Sequence, residues 1–219
     1  MRGIWQAIAA QREADYGNPS EARQSAAEAL KRSSTSEGVE SEAALAMAGD
    51  TARAESLRRD LEKRFPVDTQ MQSLWLPAIR GQLALNHRDA ATAINLLQPA
   101  LPPTEFGQIT FVANLSCLYP TYIRGQAYLA ARQGKGAASE FQKILDHSGI
   151  VWNCWTGALA HLGIARANTL QARALQGADA DGARVRALAA YKDFFALWKD
   201  ADTDIPIRKQ AKTEYAKLQ

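Results

Sequence analysis

Ile79-Arg80-Gly81-Gln82 returns as Ile123-Arg124-Gly125-Gln126, 44 positions further along the chain. The likeness runs on past the four letters. Ala93 and Leu97 stand 12 and 16 residues after the first glycine, and Ala137 and Phe141 stand at the same offsets from the second. Glycine inside a helix costs about 1 kcal/mol relative to alanine. Its repeated use points to a place where a second helix must come close, and the small residue further on marks the matching place on that helix. A chain built this way is a stack of helix pairs, and such stacks commonly bind other chains.

Outward from the two copies, nearly everything reads as helix. The pattern predicts helices over 3–15, 20–31, 37–48 and from there to Arg64, then 69–86, 89–98, 108–117, 121–132, 135–147, 155–176, 183–199 and 207–217. The breaks carry turn chemistry: Tyr16-Gly17-Asn18-Pro19, Ser33-Ser34-Thr35-Ser36, Gly49-Asp50, Phe65-Pro66, Leu101-Pro102-Pro103-Thr104, Tyr119-Pro120, Ala178-Asp179-Ala180-Asp181-Gly182, and Asp200 to Pro206. Proline cannot extend a helix and Ser20 suits a helix start. No stretch alternates with period two, so no strand is expected.

Composition agrees. A hydrophobic share of 47% with 22% charged residues describes a soluble globular chain rather than a disordered one. The net charge of +3 is spread without a block of like charges, so neither nucleic acid nor an anionic membrane is demanded as a partner. No apolar run reaches the roughly 20 residues that span a bilayer, and Met1 to Asp15 holds no signal-peptide core. The chain is expected to be soluble, with no membrane contact of its own. Cys117 and Cys154 sit in apolar stretches without CxxC spacing and are expected as buried free thiols, a single bridge being the alternative.

The offsets from the two glycines resemble the tetratricopeptide repeat, in which a small residue and then an aromatic mark the first helix, and an alanine and an aromatic mark the second. Gly125, Tyr128, Ala137 and Phe141 make the best copy. Weaker copies keep Leu45, Gly49-Asp50, Ala54 and Pro66; Gly81, Ala93 and Leu97; Leu159, Leu162, Gly163, Ala187 and Tyr191; and, at the start, Gly17, Ala22 and Ala26. The resemblance implies an all-α, right-handed superhelix of antiparallel pairs, about five with a C-terminal helix, forming one solenoid domain over 1–219. Its repeats are weaker over 1–100 and clearer over 119–219. An unrelated alanine-rich bundle is the alternative.

Residues 119–219 further resemble the repeat regions that follow the kinase domain of bacterial, eukaryotic-type serine/threonine protein kinases. The likeness rests on Leu118-Tyr119-Pro120, Tyr122 to Leu129, Phe141 to His147, Tyr191 to Asp202, Asp204-Ile205-Pro206-Ile207 and Glu214 to Leu218. It implies an interaction or sensor region of a signalling protein. A stand-alone adaptor, or an enzyme with a site between helices, are the alternatives. In the cell the chain would be cytoplasmic, or extracytoplasmic if a parent protein is membrane-anchored.

Chemistry-bearing constellations are few. His87-Arg88-Asp89 matches the kinase catalytic-loop triplet, but the position of its metal-binding asparagine is Ile94, and no glycine-rich loop, VAIK lysine or DFG is present. Asp89 is expected to cap the helix from Ala90. Asp200, Asp202 and Asp204 lack the glycine and distal glutamate of a calcium loop and are expected to end one helix and cap the next. His87, His147 and His161 lack metal-ligand spacing. No catalytic site, metal or cofactor is expected.

A peptide groove is the stronger expectation. In tetratricopeptide solenoids the first helix of each pair lines the concave face, which nominates Trp75, Gln82 and Asn86, then Tyr119, Tyr122 and Gln126, with Asn168 beyond. Amphipathic aromatics and amides give contact area and backbone hydrogen bonds. Packing of those aromatics against neighbouring helices is the alternative. Arg80 and Arg124 stand where the repeat has leucine, and each is expected to find a carboxylate or a helix end.

Overall fold

The computed structural model describes residues 2–32, 49–98 and 117–219. The expected helix over 37–48, the connections Ser33–Ser36 and Leu101–Thr104, and the expected helix over 108–117 except for Cys117 lie outside them. The protein is all-α, and among the described residues there is no strand. The chain divides into two compact units, 1–108 and 109–219.

In the first unit, α1 (Arg2–Tyr16) and α2 (Pro19–Arg32) form a pair. Gly17, at φ 89°, makes the turn that other residues resist, and Pro19 starts α2, where its missing N–H is not needed. Gln6 donates to Glu28 at 2.7 Å, and Ala7 and Ala29 are fully buried together against Ile4. Helix α3 (Thr51–Arg64) is capped by Asp50, which accepts from the Arg53 amide. Along it Arg58 bridges Glu55 and Glu62, and its hydrogen bond holds the Glu55 carboxyl down at about 2.

Helix α4 opens with one π-helical turn, Met71–Trp75, and continues as Leu76–Asn86. Pro77 explains the wide turn. It has no N–H to give and its ring crowds the carbonyl four residues back, so the Leu76 amide reaches to Met71 instead. Helix α5 (Ala90–Leu97) begins as expected at Asp89, whose carboxylate accepts from the Thr92 amide at 3.0 Å. Gly81 is the contact point of the pair: a Cβ there would lie 2.9 Å from the Leu97 side chain.

The second unit repeats the device. Helices α6 (Tyr119–Ala130) and α7 (Gly134–Asp146) are followed by a short α8 (Ser148–Val151), then by α9 (Trp155–Ala174), α10 (Gly177–Leu197) and α11 (Pro206–Ala216). Arg124 meets Glu140 while Tyr128 meets Gly136, so α6 and α7 run antiparallel. Asn168 meets Arg186 while His161 faces Asp193, so α9 and α10 do too. Phe141, fully buried, fills the centre. A Cβ on Gly125 of α6 would stand 2.8 Å from its ring, and one on Gly163 of α9 would stand 2.6 Å away.

Several boundaries differ from expectation. Helix α6 starts at Tyr119 rather than 121, because Pro120 falls in the first turn, where proline is tolerated. The segment Ala178–Gly182, expected as a loop, is the first turn and more of α10. Alanines favour that helix, and Asp179 lies in the first turn where the unpaired amides attract an anion. Asp204 does not cap α11. Ile205 holds that position without a side-chain bond.

The cysteines also correct the reading, since Cys117 and Cys154 form a disulfide with their Cα atoms 5.6 Å apart. The two precede α6 and α9, whose packing brings their first turns together. The Thr156 hydroxyl reinforces the join by donating to the Cys117 carbonyl at 2.7 Å. Closing a loop of this size typically stabilises by about 2–4 kcal/mol. A Cys117→Ser, Cys154→Ser double variant should lose that much in urea unfolding, and reductant should bring the wild type down to the same curve.

Both duplicated arginines find carboxylates. Arg124 is bound by Glu140 across the α6–α7 seam, at 2.9 Å from Nε and 2.6 Å from Nη2. Arg80 pairs with Glu62 of α3 instead. The residue corresponding to Glu140 in the first copy is Leu96, so Arg80 has no acid on its own partner helix at that level.

Candidate functional site

Among the described residues of the second unit, grooves open on opposite faces of α9. His161, Ile164, Asn168 and Gln171 recur at helical spacing on one face, and Arg166, Thr169, Leu170 and Arg173 on the other.

The first groove, about 590 Å³, lies between α7, α9 and α10. Ala138, Leu145, Ile164 and Ala190 give it apolar walls, and Lys135, Ser139 and Gln142 line the α7 side. Its polar groups are largely committed to one another. Asn168 accepts from Arg186 Nε at 3.0 Å and donates to the Ile164 carbonyl at 3.0 Å. Gln171 leans on the Gly134 carbonyl at 3.4 Å, and Gln142 donates to Asp146 at 2.8 Å. Burial pushes the His161 imidazole below its ordinary value, against a weaker opposite pull from Asp193 at 3.9 Å.

The second groove, about 300 Å³, is walled by Leu129 of α6, the Arg166 face of α9, Tyr191 of α10, and Glu214 and Lys217 at the end of α11. Helices α6, α9 and α11, with Tyr191 of α10, thus all contribute to this side. Glu214 is fixed from both oxygens. Arg166 donates to it twice, at 2.9 and 3.1 Å, and the Tyr191 hydroxyl donates at 3.0 Å. Burial and the adjacent carboxylate raise the Tyr191 phenol well above its usual range, so it remains a donor.

The nominated groove residues separate into several environments. Trp75 is buried in the π turn of α4. Gln82 is half-buried and donates to exposed Asn86 at 3.2 Å. Tyr119 and Tyr122 are buried, with ring centres 5.7 Å apart, and Tyr122 meets Phe141 edge-on. Gln126 is half-buried and donates to the Tyr122 hydroxyl at 3.0 Å. Tyr122, Gln126 and Leu129 share one face of α6 by spacing, and Leu129 carries that face into the second groove. Asn168 lies on the other side of α9, in the first groove.

Arg166 and Arg173 were not singled out from sequence, and Glu214 and Lys217 entered there only through the likeness of the C-terminal tail, not as groove residues. The available signal was the row Arg166, Leu170, Arg173 at spacings of four and three, which places two cations on one helical face. Of the histidines, His147 directs Nδ1 at the Lys143 carbonyl, 2.7 Å away. Among the described residues no three of His, Cys, Asp and Glu converge on a metal position, and no helix is long and apolar enough to cross a membrane. Set against known proteins, the chain matches no family model, no curated protein and no solved structure.

Proposed function

We propose that this chain is a tetratricopeptide-type scaffold that holds a segment of a partner protein in the groove formed by α6, α9 and α11. One observation carries the reading. The glycine-to-second-helix contact recurs at the same offset in two helix pairs, Gly81 with Leu97 and Gly125 with Phe141, and in the second unit this close stacking leaves first helices side by side around an open groove. Repeats of this kind build a rigid surface well suited to an extended chain. The likeness of residues 119–219 to kinase-linked repeat regions supports a role as the interaction or sensor part of a bacterial signalling protein. The Cys117–Cys154 bridge favours an oxidising compartment, hence the extracytoplasmic side.

A displayed library of random dodecapeptides tests the reading. The wild type should enrich a family of related sequences. Leu129→Arg, which fills the α6 wall of the groove, should abolish that enrichment, whereas Ala189→Arg, which fills the opposite groove, should leave it intact. No enrichment by the wild type, or equal capture by all three proteins, would overturn the proposal. Thermal unfolding of each variant separates a blocked groove from a broken fold.

A further inference from the structure

The walls of the α6–α9–α11 groove differ in which of their charges are already used. Glu214 is the groove's acid, and its two oxygens receive three donated hydrogen bonds from Arg166 and Tyr191. Arg166 is in turn bound along its fork, with a side chain only 19% exposed, so this pair is part of the wall. Arg173 and Lys217 are different. Both line the groove, both are exposed, and neither makes an ion pair among the described residues. Arg173 follows Arg166 by two helical turns on the same face of α9, and Lys217 follows Glu214 by three residues at the end of α11. Beside them, Leu129 and Leu170 give half-buried apolar surface.

We infer that the groove selects an acidic peptide segment, one whose carboxylates meet Arg173 and Lys217 while an adjacent apolar side chain seats between Leu129 and Leu170. This rests on the peptide-binding reading above and specifies its ligand. The charge arithmetic favours it: with Arg166 and Glu214 cancelling, two positive charges remain and, among the described residues that line the groove, no negative one opposes them. An arginine offers a planar, bidentate match to a carboxylate, and a lysine adds a mobile charge that steers the approach. A basic peptide would meet like charges on both sides, which is the repulsive half of the selectivity. The volume, about 300 Å³, accommodates one or two side chains rather than a folded domain, so the recognised element is a short linear segment.

The same random library provides the test, read now for composition. Peptides enriched by the wild type should be rich in Asp and Glu beside Leu, Ile or Phe. An Arg173→Glu, Lys217→Glu double variant should lose those sequences and turn to basic ones. These two side chains are exposed, so the fold should survive with a small loss from placing acids at two helix C-termini, about 0.3–1 kcal/mol each, which the melting temperature checks. For one selected peptide, replacing its acids by the corresponding amides should weaken binding about tenfold at 50 mM salt, and raising the salt to 300 mM should erode most of that difference. If the wild type enriches peptides without carboxylates, and Leu129→Arg abolishes them, the groove binds peptides but the acidic preference is wrong. If no sequence family is enriched at all, both readings fall. An unchanged preference in the double variant would mean that the two cations serve only the C-terminal ends of their helices, and would overturn the inference.

Discussion

Alanine at Phe141 should cost the second unit about 3–5 kcal/mol, the range for deleting a fully buried aromatic ring. The position makes a sharper test available, because the ring is held between two glycines. A Cβ at Gly163 would stand 2.6 Å from Cγ, Cδ2 and Cε2 of the ring, and one at Gly125 would stand 2.8 Å from Cε1 and Cζ. Both glycines therefore crowd the one ring, so a Cβ on either must displace it. Gly163→Ala in the wild type should be destabilising, since overpacking at so short a distance, about 1–3 kcal/mol, exceeds the gain in helix propensity, about 1 kcal/mol. In a Phe141→Ala background the clash is gone. The same Gly163→Ala change should then stabilise, through propensity and partial filling of the cavity. Urea unfolding followed by tryptophan fluorescence would show this reversal of sign. A Gly163→Ala that is neutral or stabilising in the wild type would mean that the ring has room, and that the glycine is not there for the contact.

This pairing was legible in the sequence because a fixed offset encodes it. A glycine and a bulky residue 16 positions on, joined by a turn of known length, must meet if both segments are helical and antiparallel. Leu97 and Phe141 do meet their glycines, at 2.9 and 2.8 Å from where a Cβ would be. What was not legible depends on neighbours that no local offset specifies. Tyr119 and Tyr122 read equally well as groove or core until α7 places Phe141 against Tyr122. Cys117 and Cys154 read as thiols, because their bridge requires the starts of two non-consecutive helices to lie side by side. The charged groove needs Glu214 brought to Arg166 from 48 residues away. The start of α10 was missed for a different reason. Gly177 and Gly182 read as punctuation, and the alanines and Asp179 between them outweighed it.

The second large effect is expected where the two copies diverge. Arg124 and Glu140 are paired with side chains only 6% and 10% exposed, so breaking the pair from one side strands a charge away from water. Such a loss runs to about 3–5 kcal/mol, much of it the cost of the charge left behind. Glu140 has a second cation, because Lys143 Nζ lies 3.1 Å from its other oxygen and is 44% exposed. After Arg124→Met that lysine still neutralises the carboxylate and can draw it toward solvent. Arg124→Met should thus cost less than a fully stranded carboxylate would. The double variant Arg124→Met, Glu140→Leu should recover most of the loss, since an apolar pair of similar volume often matches a buried ion pair in stability. A double-mutant cycle in urea would report this as a large coupling energy. Arg80, in the other copy, supplies the contrast. Its pair with Glu62 is 35% and 40% exposed, and surface pairs are worth about 0–1 kcal/mol, so Arg80→Met should cost far less. Equal costs at Arg80 and Arg124 would mean that burial does not set the strength of these pairs, and that the arginine serves the repeat through its packing alone.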